Sequence, residues 1–249
     1  MTDIDGIISK EHALELVEWL LRERFANADF AFVAGSVIRR TATPSSDIDL
    51  VVIHPALPHA RRESMIFEGA PVETFIHDET TLRWFFDADV RSGRPVLIRM
   101  VAEGIAVGPR PDEAARLQED ARSILAAGPP PLDRGALDHL RYQIADSLDD
   151  LADDRPDFER MAIGTALYIS LGEFILRSNG AWSGAGKWLP REVTAFDAVL
   201  GGKFIAAFDL LFREGWPEPV LDLAEQVLAL HGGRLWDGYR RDAPAGWRT

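Results

Sequence analysis

The first half of the chain mixes two kinds of apolar pattern. Apolar side chains spaced three and four residues apart predict amphipathic helices, and short apolar runs bounded by glycine, proline or serine predict buried strands. The predicted helices cover residues 11–25, 80–90 and 111–127; the predicted strands cover 30–34, 48–53, 65–68 and 72–77, and residues 95–107 are predicted as a further hairpin or bent strand. This mixture is typical of an α+β domain.

A run of three prolines, residues 129–131, follows Gly128 and separates this half from the rest. Consecutive prolines cannot continue a helix, so the segment is predicted to be a linker. Beyond it the apolar period is helical throughout, with Leu137, Leu140 and Ile144 on one stripe. We therefore predict two domains, a mixed α and β domain over residues 1–128 and an all-α bundle of four or five helices over residues 135–249.

Composition and charge narrow the function classes. The 249 residues contain 27 Lys and Arg against 40 Asp and Glu, a formal net charge of −13 that disfavours broad nucleic-acid binding. The sequence has no cysteine, which excludes disulfides, thiolate metal sites and cysteine nucleophiles. No apolar run approaches membrane-spanning length, and the acidic start lacks the features of a secretory signal. The expected compartment is the cytoplasm, and no membrane partner is expected.

The chemistry of the sequence concentrates at the start of the second predicted strand. Asp47 and Asp49 lie two residues apart, so both carboxylates project from one face, while Ile48 and Leu50 project from the other. Two carboxylates this close repel each other unless a cation lies between them. Magnesium prefers oxygen ligands of this kind and leaves positions open for substrate phosphates. The pair is therefore a candidate metal site.

A candidate phosphate site precedes this pair. Gly35 and Ser36 end the first predicted strand and open a short predicted helix, where free backbone N–H groups and a hydroxyl can bind an anion. Arg39 lies one turn further on and can reach the same anion. A phosphate-binding turn beside paired carboxylates is typical of metal-dependent phosphoryl or nucleotidyl transfer.

A two-metal site needs a third acid, and the sequence offers two candidates. Glu73 is favoured because, between Val72 and Thr74-Phe75-Ile76, it is the only carboxylate to project from a predicted neighbouring strand. Glu68, on the partner strand of the same predicted hairpin, is the competitor. Glu73 could ligate metal, act as general base towards an acceptor hydroxyl, or do both.

The segment from Gly35-Ser36 through a ten-residue spacer ending in Ser46 to Asp47-Ile48-Asp49-Leu50 resembles the signature of the DNA polymerase β-type nucleotidyltransferase superfamily. Within it, the chain most resembles small bacterial nucleotidyltransferases with a C-terminal helical domain, including the aminoglycoside adenylyltransferases. The resemblance covers residues 29–77 by motif and the helical half only by architecture.

The resemblance implies a mixed five-stranded sheet, two magnesium ions and ATP or another nucleoside triphosphate as donor. Asp47 and Asp49 then correspond to the two metal-binding aspartates, and Glu73 to the third carboxylate. Ser36 corresponds to the serine that contacts donor phosphates, and Gly35, Ser46 and Arg39 join it as nucleotide-binding candidates.

Two positions extend or depart from this pattern. Arg40 stands where a glycine is common in the family, so a bulky residue would narrow or recharge the phosphate loop. Lys187, in the glycine-containing loop of residues 184–191, can hold a triphosphate oxygen, as a lysine of the second domain does in the aminoglycoside enzymes. An ordinary solvent-exposed loop lysine is the alternative at that position.

The expected function is magnesium-dependent transfer of AMP from ATP to a hydroxyl of a small molecule. The helical domain would supply acceptor specificity, and an aminoglycoside-type cation fits the negative charge. Two alternatives remain open: nucleotidylation of a protein or RNA acceptor, as in toxin–antitoxin systems, and a catalytically silent nucleotide-binding module.

Overall fold

The structure is a computed structural model that describes residues 7–243 and residue 246. Its contacts divide the chain into two compact units, and the division falls between Gly128 and Pro129. The first unit combines a sheet with helices, and the second unit is helical over its described residues. The predicted α+β class, a mixed sheet followed by a helical bundle, is confirmed.

The described elements of each unit follow in chain order. In the first unit the helices are α1 (Lys10–Arg24), α2 (Gly35–Ile38), α3 (Glu79–Ser92), α4 (Val96–Glu103) and α5 (Pro111–Ala127), and the strands are β1 (Phe30–Ala34), β2 (Ile48–Ile53), β3 (Arg61–Phe67), β4 (Ala70–His77) and β5 (Ile105–Val107). In the second unit the helices are α6 (Arg134–Ala152), α7 (Asp157–Arg177), α8 (Trp188–Phe196), α9 (Ala198–Glu214) and α10 (Glu218–Ala229).

The sheet is mixed, as the resemblance implied. Its strand order is β3-β4-β2-β1-β5. Strand β2 runs parallel to β4 and antiparallel to β1, and the remaining pairs, β3 with β4 and β1 with β5, are antiparallel. Strand β2 therefore lies at the centre, with β1 and β4 as its two neighbours.

The two faces of β2 have different surroundings. Ile48, Leu50 and Val52 project from one face into a core that includes Leu16 and Leu20 of α1, and all but Leu16 are fully buried. Burial of each side chain of this size stabilises the folded protein by about 1.5–3 kcal/mol. These three residues therefore determine which face of β2 packs against α1. The alternate residues of β2, beginning with Asp49, must then project from the opposite face.

Residues 95–107 do not form the predicted hairpin. They form the helix α4 followed by the three-residue edge strand β5. The apolar run of this segment suits a strand or a helix, and contacts with another part of the chain favour the helix. The Asp89 carboxylate accepts hydrogen bonds from the amides of Leu97 and Ile98 at 2.7 and 3.1 Å, which stabilises the first turn of α4. Burial raises the pKa of Asp89 to about 6, against the opposing effect of these two amide donors.

The second unit has a core of its own, formed by the inward faces of α6 to α10. Asp197 separates two of its helices, because it ends α8 and caps α9 by accepting from the amides of Val199 and Leu200. No helix in the part of the chain that the structure describes is both long and apolar enough to span a bilayer.

The last residue of β4, His77, is buried beside the aromatic ring of Phe85, with 5.0 Å between the ring centroids. Desolvation lowers the pKa of His77 to about 4, although neighbouring Asp78 opposes the shift. The side chain is therefore neutral in the folded protein at neutral pH.

This burial predicts an acid-sensitive step in stability. Because the pKa of His77 is lower in the folded than in the unfolded chain, protons bind the unfolded chain more strongly between pH 6.5 and 4. The free energy of unfolding should fall by about 1–2 kcal/mol between pH 7 and pH 5 on account of His77. Asp89 contributes with the opposite sign in part of this range, so the measurement is the difference between the denaturant unfolding curves of the wild type and His77→Gln at each pH. A difference that does not change with pH would contradict the assignment.

Candidate active site

The aspartate pair lies where the loop between α2 and β2 enters the sheet. Ser46 orders this loop: its hydroxyl accepts from the amide of Thr43 at 2.9 Å, and its own amide donates to the Thr43 carbonyl at 2.9 Å. Asp47 is the next residue and Asp49 is the second residue of β2. The structure therefore gives Ser46 a local role in shaping the approach to Asp47.

Glu73 reaches the pair through strand register. In the parallel pairing of β2 with β4, Asp49 is directly opposite Glu73, and in the antiparallel pairing with β1 it is opposite Ala34. One potential ligand oxygen from each of Asp47, Asp49 and Glu73 lies within 4.8 Å of the other two. We call these three residues the acidic trio. Asp47 is exposed and the other two are half-buried, so solvent reaches the trio on the second face of the sheet.

Glu68, the competing third acid, lies elsewhere. The turn between β3 and β4 consists of Glu68 and Gly69, which have φ values of +48° and +83°, as a two-residue type I′ turn requires. Glu68 is therefore at the tip of the hairpin, while Glu73 is paired with Ser64 further along it.

Glu73 also has a partner that sequence reasoning missed. Arg62 donates to Oε1 of Glu73 from Nε at 2.8 Å and from a terminal nitrogen at 2.5 Å, and the hydroxyl of Ser64 donates to the same oxygen at 3.3 Å. The signal was present in the spacing: a two-residue turn at 68–69 pairs residue 64 with residue 73 and places residue 62 on the same face.

Gly35 packs directly against the trio. A Cβ built on Gly35 would lie 2.0 Å from Oδ2 of Asp49, and the φ value of +83° is itself unfavourable for any other residue. Glycine is therefore required here for close approach of the chain to the Asp49 carboxylate. This approach connects the predicted phosphate turn to the predicted metal site.

The other predicted phosphate residues follow Gly35 in the chain. Ser36 lies in the first turn of the four-residue helix α2. Arg39, just after the helix, forms an ion pair with Glu103 at 3.0 Å, so its side chain is held towards the end of α4. Phosphate binding by Ser36 and Arg39 stays a prediction, and for Arg39 it requires competition with Glu103.

Arg40, where the sequence departs from the expected glycine, has a backbone conformation that is unusual for a residue with a side chain. Its φ value is +58°, in the left-handed region that glycine adopts without strain. Lys187 belongs to the second unit, where it immediately precedes α8; its predicted contact with a triphosphate stays a prediction.

The donor set of the trio suits a hard divalent cation. Three carboxylates within 4.8 Å carry three negative charges, and oxygen ligands of this kind are those that magnesium prefers. Within the described residues this is the only group of three or more His, Asp or Glu side chains close enough to share an ion. Because Gly35 has no side chain, the Asp49 carboxylate can lie directly against the backbone there.

Comparison with known proteins assigns no family to the chain. No protein-family model matches it, and no curated protein matches its sequence significantly. Among solved structures it is similar to a nucleotidyltransferase-like protein from Exiguobacterium sibiricum, at 13% sequence identity and a TM-score of 0.45, over 87% of this chain and 74% of that one. At this level of similarity the neighbour carries no conclusion about function, which must come from the site itself.

Two glycines with the same φ value give a matched test of the contact with Asp49. Gly69 also has a φ of +83°, but a Cβ there would meet nothing within 4 Å. Gly69→Ala should lower the free energy of unfolding by about 1 kcal/mol through backbone strain alone. Gly35→Ala should cost at least as much and should also displace Asp49, weakening Mn²⁺ binding measured by calorimetry. Equal Mn²⁺ affinity in the two variants would contradict the role given to Gly35.

The strain at Arg40 predicts a stabilising substitution. Arg40→Gly should raise the free energy of unfolding by about 0.5–1 kcal/mol in denaturant titration, because glycine tolerates the left-handed conformation. Arg24→Gly, within the last turn of α1, is the control and should lower stability by a similar amount. A loss of stability in Arg40→Gly would show that the side chain contributes more than the strain costs.

Proposed function

We propose that the protein is a magnesium-dependent nucleotidyltransferase that moves AMP from ATP to a hydroxyl group of a small molecule. The observation that supports it is the acidic trio with Gly35 packed against Asp49. The trio supplies oxygen ligands, and the missing side chain at position 35 lets the Asp49 carboxylate lie against the start of the predicted phosphate turn. The same residues carry the resemblance to the polymerase β-type superfamily, although the proposal depends on the geometry.

In this proposal Asp47 and Asp49 would hold two magnesium ions, and Glu73 would be a ligand to one of them. Magnesium held there would supply Lewis-acid stabilisation of the charge at the transferred phosphate. Ser36, the backbone at Gly35 and, after release from Glu103, Arg39 bind the β- and γ-phosphates. Lys187 of the second unit is proposed as a further phosphate ligand.

The proposed transfer is a displacement at phosphorus and needs no oxidant or reductant. The acceptor oxygen forms a bond to the α-phosphorus, and the bond from that phosphorus to the oxygen bridging to the β-phosphate breaks. Pyrophosphate carries away the bonding electrons, and the acceptor's proton passes to Glu73, whose carboxylate lies within the trio. The side chains of the chain therefore bind, orient and deprotonate, and no protein-bound intermediate is required.

The acceptor is proposed to be small and cationic. The formal net charge of −13 attracts such a molecule and repels nucleic-acid backbones. The helical second unit, with a core independent of the first, is proposed to supply acceptor contacts.

The test is pyrophosphate release from ATP and Mg²⁺ with a panel of hydroxylated amines, including aminoglycosides. Asp49→Asn should lower the rate by about a hundredfold or more, because several kcal/mol of charge stabilisation depend on metal ligation. Glu63→Gln is the matched control and should retain full activity, since Glu63 pairs with Arg61 and lies on the opposite face of β3 from Ser64.

The outcomes separate the acceptor classes. Labelling a lysate with ATP labelled in the α-phosphate should mark a metabolite and not a macromolecule. A labelled protein or RNA would replace the small-molecule acceptor with a macromolecular one. Tight ATP binding without turnover, unchanged by Asp49→Asn, would overturn the enzymatic proposal altogether.

A further inference from the structure

Arg62 holds its permanent positive charge beside Glu73, one member of the acidic trio. The residue is paired across the sheet with Phe75, and its guanidinium carbon lies 5.0 Å from the centre of that ring. From there two of its nitrogens reach Oε1 of Glu73, which also accepts from Ser64. Each of these donors converges on Oε1, so they do not engage Oε2.

We propose that Arg62 serves as the resident cation of the acidic trio in the metal-free protein and competes with a divalent ion for Glu73. This inference rests on the proposed function, because it assumes that the trio binds a divalent cation. It assigns to Arg62 a role in setting the affinity of the site for the ion that Glu73 helps to hold.

The need for such a cation follows from electrostatics. Carboxylates within 4.8 Å of one another repel, and this repulsion opposes the strand register that brings Glu73 beside Asp49. A guanidinium bonded to Glu73 offsets part of it, and it does so across the usual pH range because arginine does not lose its proton there. When a divalent ion binds the same carboxylate, the two positive charges repel, and the guanidinium becomes a competitor.

The geometry also allows the Arg62 side chain to move away from Glu73 when a divalent ion binds. Its side chain is 62% exposed, whereas that of Glu73 is 17% exposed, so the arginine can move into solvent while the glutamate stays in the site. Arg62 lies on β3, the outermost strand of the sheet on this side. Asp47 and Asp49 lie two strands away, in or just before β2, so the competition acts on Glu73 first.

The direction of the effect distinguishes competition from simple positioning. If Arg62 only held Glu73 in place, removing it would loosen the ligand and weaken cation binding. If Arg62 competes with the ion, removing it strengthens binding. Exposed ion pairs are weak, so the expected gain is modest, about three- to fivefold in affinity.

The experiment is calorimetric titration of the full-length protein with Mn²⁺, in the absence of nucleotide. Arg62→Ala should bind Mn²⁺ about three- to fivefold more tightly than the wild type. Arg61→Ala is the matched control: it removes the same charge from the adjacent residue, whose partner is Glu63, and should leave the affinity close to the wild-type value. Arg62→Lys, which keeps the charge, should restore most of the wild-type affinity.

A double substitution tests whether the effect passes through Glu73. In a Glu73→Gln background, adding Arg62→Ala should change the Mn²⁺ affinity no more than adding Arg61→Ala does. In EDTA, denaturant unfolding of the four variants of the Arg62 and Glu73 cycle should show favourable coupling between the two residues, and saturating Mn²⁺ should abolish that coupling.

The results separate this inference from the proposed function. Unchanged or weaker Mn²⁺ binding by Arg62→Ala, with binding still lost in Asp49→Asn, overturns the inference and leaves the metal site standing. An equal gain in Arg61→Ala also overturns it, because the effect would then be one of net charge. Absence of Mn²⁺ binding in both the wild type and Arg62→Ala overturns the metal site of the proposed function together with the inference.

Discussion

The repulsion among three carboxylates is the constraint that the first unit has to satisfy. Asp47, Asp49 and Glu73 hold oxygens within 4.8 Å of one another at the start of the central strand β2 and on its neighbour β4. In isolation these groups would move apart, so their proximity has to be imposed by the backbone and offset by neighbouring positive charge. Arg62 supplies such a charge in the structure, and a divalent cation supplies a larger one in the proposed function.

The backbone imposes this proximity through strand β2, which packs in the core with one face and carries Asp49 on the other. The fully buried side chains of Ile48, Leu50 and Val52 anchor β2 in the core. A slip of one residue would move these three side chains to the face that carries Asp49 and would turn Asp49 into the core, so the register is strongly preferred. Parallel pairing with β4 then sets Glu73 opposite Asp49. The site is thus fixed by apolar burial on the far side of the same strands.

The chain just after β1 lies close to the trio because of its backbone geometry and not because of a side-chain interaction. Gly35 passes so close to Asp49 that a methyl group would overlap its carboxylate. A single substitution that adds only a few atoms at Gly35 would therefore disrupt the site. The second unit is organised independently around its own apolar core, and in the proposed function its contribution is acceptor recognition and one lysine.

The sequence determined the parts of the site that depend on local spacing. Asp47 and Asp49 share a face because strands have a period of two, and the apolar residues between and after them identify the buried face. Gly35 was recognisable from its place at the end of an apolar run, and the helical period after the three prolines predicted the second unit. Each of these features depends on residues close together in the chain.

Only the tertiary structure decided the features that depend on distant segments. The sequence favoured Glu73 over Glu68, but the parallel register with β2 is what places Glu73 beside Asp49, and the hairpin register is what brings Arg62 to it. The segment 95–107 was mispredicted because its apolar run suits a strand or a helix, and the amides of its first turn are held by Asp89 from another helix. Short-range periodicity determines which side chains share a face, whereas pairing between strands and caps supplied from elsewhere depend on contacts that the local pattern does not encode.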